Sequence, residues 1–370
     1  MRLAFFSPMP PARSGIADYS AALVEHLGLL TEVDTFSHAP ETFDPQRYDT
    51  FLYQLGNNPH HGFVYQAAMT HPGVIVLHEA NLHHLIADLT IRRGDWETYL
   101  REVEFDGGPE ALAYAKAYVE TLERGPDYDL PLLRSLLARS RGVIVHSEAV
   151  AEVVRARGFA GPLATIPHGA WTEQADGAAY RVRLGVSAAT PLIGIFGFLK
   201  PYKRIAESLR AFRRVVSQHP EARMILVGES HPDLPLPSMV TALGLSAHVR
   251  HVEFPPIQDF NGYMAACDLV LNLRYPTVGE TSGTLLRALG MGKAVVVSDV
   301  GAFREYPEGV CLKAPVDAAE EDYLIEYMNL VIERPEVARA IGARARDWVE
   351  RQCSWPSVAQ RYAEFLAACL

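Results

Sequence analysis

Three stretches combine glycine, hydroxyl and basic residues in ways that could hold an anionic oxygen. After an apolar run at 3–6, the chain passes prolines 8, 10 and 11 and reaches Ser14-Gly15 just before a helical pattern. Backbone N–H groups at such a helix start favour a phosphate or sugar oxygen; a tight strand-to-helix turn has the same composition. Lys200, Lys203 and Arg204 follow a second strand-like run and open another helix. A helix N-terminus disfavours cations, so an anion held among them would resolve the conflict; the alternative is a solvated helix start. The third stretch runs from Arg274 to Gly292. There Thr281, Ser282 and Gly283 would offer hydroxyls and N–H groups to a diphosphate, and Glu280 could grip sugar hydroxyls. A plain helix cap would draw on the same residue types.

Other patterns fail on inspection. No Gly-x-Gly-x-x-Gly follows any strand-like run, which removes the usual dinucleotide fingerprint. Gly292-Lys293 resembles the end of a phosphate loop, but Arg287 stands at the first glycine position and Ala294 follows the lysine. His78-Glu79-Ala80-Asn81-Leu82-His83 misses the His-Glu-x-x-His zinc pattern by one residue. His60-His61 and His83-His84 have no carboxylates or thiols at ligand spacing, so they read as surface and cleft histidines. No Asp-x-Asp metal motif enters this reading of the sequence, so no cofactor and metal-independent action are expected. The turn bearing Asn57, Asn58 and His61 follows another strand-like run; it touches acceptor or sugar, or is a structural Asn-rich turn.

These loops need strands to carry them. Short apolar runs at 3–6, 33–36, 50–55, 74–77, 143–145 and 163–166 alternate with helical stretches, and a second series spans 192–198, 224–227, 249–254, 269–273, 294–298 and 310–312. Most lack alternation, as in strands covered on both faces. The alternation of strand and helix implies parallel sheets with right-handed crossovers. The expected class is α/β, with two doubly wound, Rossmann-like domains facing across a cleft. The first is expected over 1–175, the second over 186–350, and a final helix at 355–370. Residues 87–140, with Trp96, Tyr99, Phe105, Tyr114, Tyr118 and Tyr128, read as a helical insertion. Within it, Leu132, Leu133, Leu136 and Leu137 beside Arg134, Arg139 and Arg141 form either a buried helix with a basic edge or an interfacial helix for a peripheral membrane contact.

The 370 residues suit two domains, and 49% hydrophobic against 21% charged residues is an ordinary globular balance. With 34 Lys and Arg against 44 Asp and Glu, the formal charge is −10, without the basic footprint of a nucleic-acid binder. No apolar run is long enough to span a membrane. The first residues are broken too soon by proline for a signal peptide. Cys267, Cys311, Cys353 and Cys369 lie far apart, as expected of reduced thiols in a cytoplasmic protein.

Taken together, the segments resemble the retaining GT-B glycosyltransferases of family four, which use nucleotide-sugar donors. Ser14-Gly15 is similar to that family's paired-glycine loop. His78, closing Gly73-Val74-Ile75-Val76-Leu77-His78, is similar to its sugar-contacting histidine. Ile166-Pro167-His168-Gly169 resembles the Ile-Pro-Asn-Gly signature before the interdomain linker, and Val227-Gly228-Glu229 the loop flanking base and ribose. Gly301-Ala302-Phe303-Arg304-Glu305 resembles the Gly-Gly-x-x-Glu turn, and Ser354-Trp355 with the last helix resembles the element that crosses back to the first domain. Two positions depart. Where the family carries Arg before the phosphate-binding Lys, this chain has Phe198, with Lys200 as a substitute. The family's two glutamates fall on Gly279 and Arg287, with Glu280 one position late.

The resemblance implies transfer of a hexose from a nucleoside diphosphate sugar to a glycan, glycolipid or small-molecule acceptor hydroxyl. It implies that Lys200, Lys203 and the amides near Thr281, Ser282 and Gly283 stabilise the departing diphosphate. His78 and Glu280 then orient the sugar, and Ser14, Gly15, Gly228, Glu229 and Arg287 line the donor. A GT-B-like sugar-nucleotide epimerase and a non-catalytic nucleotide-sugar-binding module remain the alternatives.

Overall fold

A computed structural model describes residues 1–12, 14–121 and 130–370. Arg13 and Tyr128, and the side chain of Tyr118, lie outside what it describes. Among the described residues there are twelve strands: β1 Arg2–Phe6, β2 Glu32–Phe36, β3 Thr50–Leu55, β4 Val74–Leu77, β5 Gly142–Val145, β6 Leu163–Thr165, β7 Leu192–Phe196, β8 Arg223–Val227, β9 Val249–Val252, β10 Leu269–Asn272, β11 Ala294–Ser298 and β12 Leu312–Ala314. The helices are α1 Gly15–Leu27, α2 Gly62–Thr70, α3 His83–Leu89, α4 Trp96–Thr121, α5 Arg134–Leu137, α6 Glu148–Ala156, α7 Gly177–Leu184, α8 Ile205–Gln218, α9 Leu236–Ala242, α10 Ile257–Ala266, α11 Gly283–Gly290, α12 Gly301–Arg304, α13 Glu320–Glu333, α14 Pro335–Gln352 and α15 Trp355–Ala368.

The strands form two six-stranded parallel sheets, ordered β2-β1-β3-β4-β5-β6 and β12-β11-β10-β7-β8-β9. The central strands are the uninterrupted apolar runs, because helices cover both of their faces. Edge strands β2 and β9 differ, with Glu32 and Thr35 exposed in the first and Arg250 and His251 in the second. Each sheet belongs to one compact unit. The first comprises Met1–Gly169, Val278–Thr281 and Trp355–Leu370; the second comprises Ala170–Thr277 and Ser282–Ser354.

The second unit starts earlier than the 186 expected from composition. α7 belongs to it, because Tyr180 packs edge-on against Tyr263 of α10 and donates to Asp259 at 2.5 Å. The four residues Val278–Thr281 interrupt it and pack in the first unit. The last helix also belongs to the first unit: the hydroxyls of Tyr19 and Tyr362, both fully buried, meet at 2.8 Å.

The region 87–140 is mainly helical where described, with α4 broken at Gly108 (φ +77°), but it is built into the first core and not appended to it. Tyr99 and Val103 of α4 are fully buried, and Leu132, Leu133, Leu136 and Leu137 are almost fully so. Those leucines therefore present no apolar face to a bilayer. Phe105 and Tyr114 do stay exposed. Among the described residues, no helix is long and apolar enough to cross a membrane. The four cysteines are free thiols.

Candidate functional site

In parallel α/β sheets, ligands gather at the carboxyl ends of the strands. In the first unit that edge carries imidazoles. β4, β5 and β6 are neighbours in register, Leu77 opposite Val145 and Val145 opposite Thr165. The residues that follow therefore come together: His78 and His146 lie 4.8 Å apart between ring centroids, and His146 and His168 5.4 Å. Tyr19 of α1 packs on all three, at 4.8, 5.5 and 4.4 Å, with Trp355 at 5.3 Å on its other contacts. His146, Tyr19 and Gln54 had no role in the sequence reading. The available signal was that Val143-Ile144-Val145-His146 repeats the ending of Val74-Ile75-Val76-Leu77-His78.

The hydrogen bonds set the state of His78. Its Nε2 lies 2.8 Å from Gln54 Oε1, an acceptor, so Nε2 carries the proton and Nδ1 the lone pair. Burial pushes the imidazole well below its usual pKa, and the neighbouring imidazoles add to the effect. Burial likewise brings His61 and His146 to about 4. His78 is thus neutral near pH 7 and suited to accept a hydrogen bond from a hydroxyl. The loop Val278–Thr281 sits against it: Thr281 N donates to His78 O at 3.2 Å, and Ala80 N donates to Val278 O at 2.8 Å. Gly279 has φ +82°, and a Cβ there would come within 2.6 Å of Val150 Cγ2, so only glycine fits. Glu280, half-buried, accepts from Val278 N at 3.0 Å. It lies in the loop that precedes α11.

Other expected residues of this unit have structural work. Ser14 caps α1, accepting from Ile16 N at 3.2 Å, while Gly15 is exposed with open space where a Cβ would stand. Asn58 caps a short 3-10 turn by accepting from His60 N at 3.0 Å. Asn57 spends its side chain on Asn81 Oδ1 and Leu85 N, both at 3.0 Å. His61 is fully buried, its Nδ1 donating to Gln54 O at 2.9 Å. The side chains of Asn57 and Asn58 and one nitrogen of His61 are thus used within the turn and its neighbours, while His61 Nε2 has no partner.

In the second unit, Lys203 is the third residue of a 3-10 turn, Pro201–Lys203, and is buried. Its Nζ donates to Phe196 O at 2.8 Å. A Cβ on Gly197, whose φ is +84°, would come within 2.9 Å of that Nζ and 3.2 Å of Thr284 Oγ1. Gly197 thus leaves space between Lys203 and the first turn of α11. Gly228 is equally constrained, since its Cβ would meet Gly197 O at 2.3 Å. Glu229 is exposed, and its carbonyl accepts from Leu199 N at 2.8 Å. Lys200 is exposed beside the Tyr202 ring. Arg204 does not join an anion site with the lysines: it pairs with buried Glu320, Nε to Oε2 at 3.0 Å, and with Glu207 at 3.3 Å. Two internal carboxylates thus resolve the charge conflict at that helix start.

Ser282 caps α11 by accepting from Leu285 N at 3.2 Å. Gly283 and Arg287 lie along Trp171, with the Arg287 guanidinium 3.7 Å over the indole. Arg287 is buried, so its replacement of a carboxylate is a packing choice as much as a change of charge. Among the described residues, no three His, Cys, Asp or Glu side chains are grouped to hold a metal. The sequence does hold one Asp-x-Asp, Asp127-Tyr128-Asp129, which the reading above passed over and which lies outside the described residues.

Residues 178–348, most of the second unit, match the family model for glycosyl transferases group 1. A GDP-mannose-dependent monoacylated alpha-(1-6)-phosphatidylinositol monomannoside mannosyltransferase of Corynebacterium glutamicum is 25% identical over 200 residues, 52% of this chain and 51% of that protein. The chain thus spans about half the length of this curated relative. Anabaena HepE, solved in complex with UDP and glucose, superposes over 100% of both chains with TM-score 0.68 and 20% identity. Sucrose-phosphate synthase from Thermosynechococcus elongatus does so with TM-score 0.69 and 18% identity. These likenesses are of fold, and with the two parallel sheets they give the chain the GT-B fold, the stretch that matches the family model lying in its second unit.

Proposed function

We propose that the chain is a retaining glycosyltransferase, moving a hexose from a nucleoside diphosphate sugar to an acceptor hydroxyl in glycan or glycolipid synthesis. The observation that carries this reading is the group 1 match over residues 178–348. In the proposed reaction the bond from the anomeric carbon to the diphosphate breaks. The acceptor oxygen bonds to that carbon on the same face, and its proton passes to the departing diphosphate. Negative charge grows on the diphosphate, so preorganised positive groups contribute most. In the second unit these are Lys203 and the first-turn amides of α11, with Lys200 nearby.

In the first unit, His78 takes a sugar hydroxyl on Nδ1, and Glu280 orients the same sugar. Gln54 supports the role of His78 by holding its other nitrogen. Metal independence is part of the proposal. The Corynebacterium relative names GDP-mannose and a phosphatidylinositol mannoside, and HepE was solved with UDP and glucose. Both donors, and a glycolipid acceptor, therefore belong in the first assay.

The experiment is release of nucleoside diphosphate from a panel of nucleotide sugars, with lipid and soluble acceptors, beside Lys203→Ala. We expect one donor to turn over with an acceptor, and Lys203→Ala to lose about 1.5–3 kcal/mol of binding to its diphosphate. Donor binding without transfer to any acceptor would favour a non-catalytic module. Conversion of donor to an epimer without acceptor would replace the transferase reading.

A further inference from the structure

The cap of α11 holds a donor whose direction is fixed and whose partner is missing. Ser282 Oγ receives two N–H groups, from Leu285 N at 3.2 Å and from Arg274 Nη2 at 3.1 Å. A hydroxyl oxygen has two lone pairs, so both are taken and its own proton must be donated. The acceptor is Asn272 Oδ1, at 3.1 Å. This settles which way round the Asn272 amide lies, an assignment that hydrogen-bond networks decide. Oδ1 faces Ser282, leaving Nδ2 with no hydrogen-bond partner although Asn272 is only 6% exposed. A buried amide donor is costly to leave unmet.

Its location says what would meet it. Asn272 is the last residue of β10, at the ligand-bearing edge of the second sheet. The Arg274 guanidinium spans from Ser282 to Tyr202 Oη, 3.3 Å away, in the turn that ends at Lys203. Lys203 Nζ and Thr284 Oγ1 in turn flank the bare Cα of Gly197. Positive charge, first-turn amides and an unmet N–H therefore gather at the adjoining ends of β7 and β10 and the start of α11, a setting suited to an oxyanion. We propose that Asn272 Nδ2 binds an oxygen of the diphosphate of the donor nucleotide. The inference rests on the nucleotide-sugar reading above and adds a binding residue that the sequence did not disclose.

The test is calorimetry of the intact chain with UDP, GDP, UMP and GMP. Asn272→Asp keeps the oxygen that accepts from Ser282 and puts a charged oxygen in place of the unmet N–H. Asn272→Ser removes the same donor without adding charge, and it serves if the first variant does not fold. We expect affinity for the preferred diphosphate to fall at least about tenfold in either folded variant, and affinity for the matching monophosphate less than about threefold. Unchanged diphosphate affinity would overturn the inference and leave the proposed function standing. Equal losses for both nucleotides would mark Asn272 as structural and overturn it too. A wild-type chain that binds no nucleoside diphosphate would overturn both.

Discussion

Lowering the pH should separate His146 from the rest of the acid response. Burial brings this imidazole to about 4, and its Nδ1 is held by Ile166 O at 2.9 Å. The unfolded chain returns it to about 6.5. Above that value the residue is neutral in both states and contributes no pH dependence. Below it the unfolded chain takes up a proton that the folded one refuses, so stability falls as pH drops from about 6.5 to about 4 and then levels. Between about pH 7.5 and about pH 5 the linkage integral for this one group is about 2 kcal/mol. His146→Asn keeps a donor for Ile166 O and removes the titration. Urea unfolding of wild type and variant at both pH values gives a difference of differences in which the other groups largely cancel. The variant should lose about 2 kcal/mol less than wild type on acidification, whatever its stability at the higher pH. Equal losses would refute the argument that burial keeps His146 neutral.

Gly197→Ala should weaken nucleoside diphosphate binding at least about tenfold in titration calorimetry, because the new methyl enters the space between Lys203 and Thr284 and the backbone is strained at φ +84°. Arg287→Glu should not raise nucleotide affinity; by losing its place on Trp171 it should lower stability by about 1–2 kcal/mol, read by thermal or urea unfolding. Glu280→Gln keeps an oxygen for Val278 N, so unfolding should be almost unchanged, while sugar transfer should fall at least about tenfold. A fully active Glu280→Gln enzyme would remove that carboxylate from the sugar.

Much of the scaffold was legible because strands buried on both faces leave uninterrupted apolar runs. Val74–Leu77 and Leu192–Phe196 match the runs seen in the sequence closely, the latter ending two residues early where Gly197 turns the chain. What a linear reading lacked was strand order. His78, His146 and His168 are scattered in sequence and meet only because β4, β5 and β6 are adjacent and in register. The same lack hid Glu320, 116 residues from Arg204, whose carboxylate supplies the charge that an anion was expected to bring. The turn at Asn57 and Asn58 has the composition of a binding loop and of a capped structural turn alike. Only the structure shows that both asparagines brace the turn with their side chains. Asn272 was invisible for a related reason: its meaning depends on how many donors reach Ser282.

The central claim, that the second unit binds the diphosphate of a nucleotide sugar, is tested most directly by thermal unfolding in the presence of UDP, GDP, ADP and their monophosphates. Each should be run with magnesium and again with excess chelator. A ligand at one hundred times its dissociation constant stabilises the native state by about 2.7 kcal/mol. The account predicts a rise in melting temperature for at least one diphosphate, larger than for its monophosphate, unchanged by chelator and diminished in Lys203→Ala. No rise with any diphosphate, or a rise equal in wild type and Lys203→Ala, would contradict it.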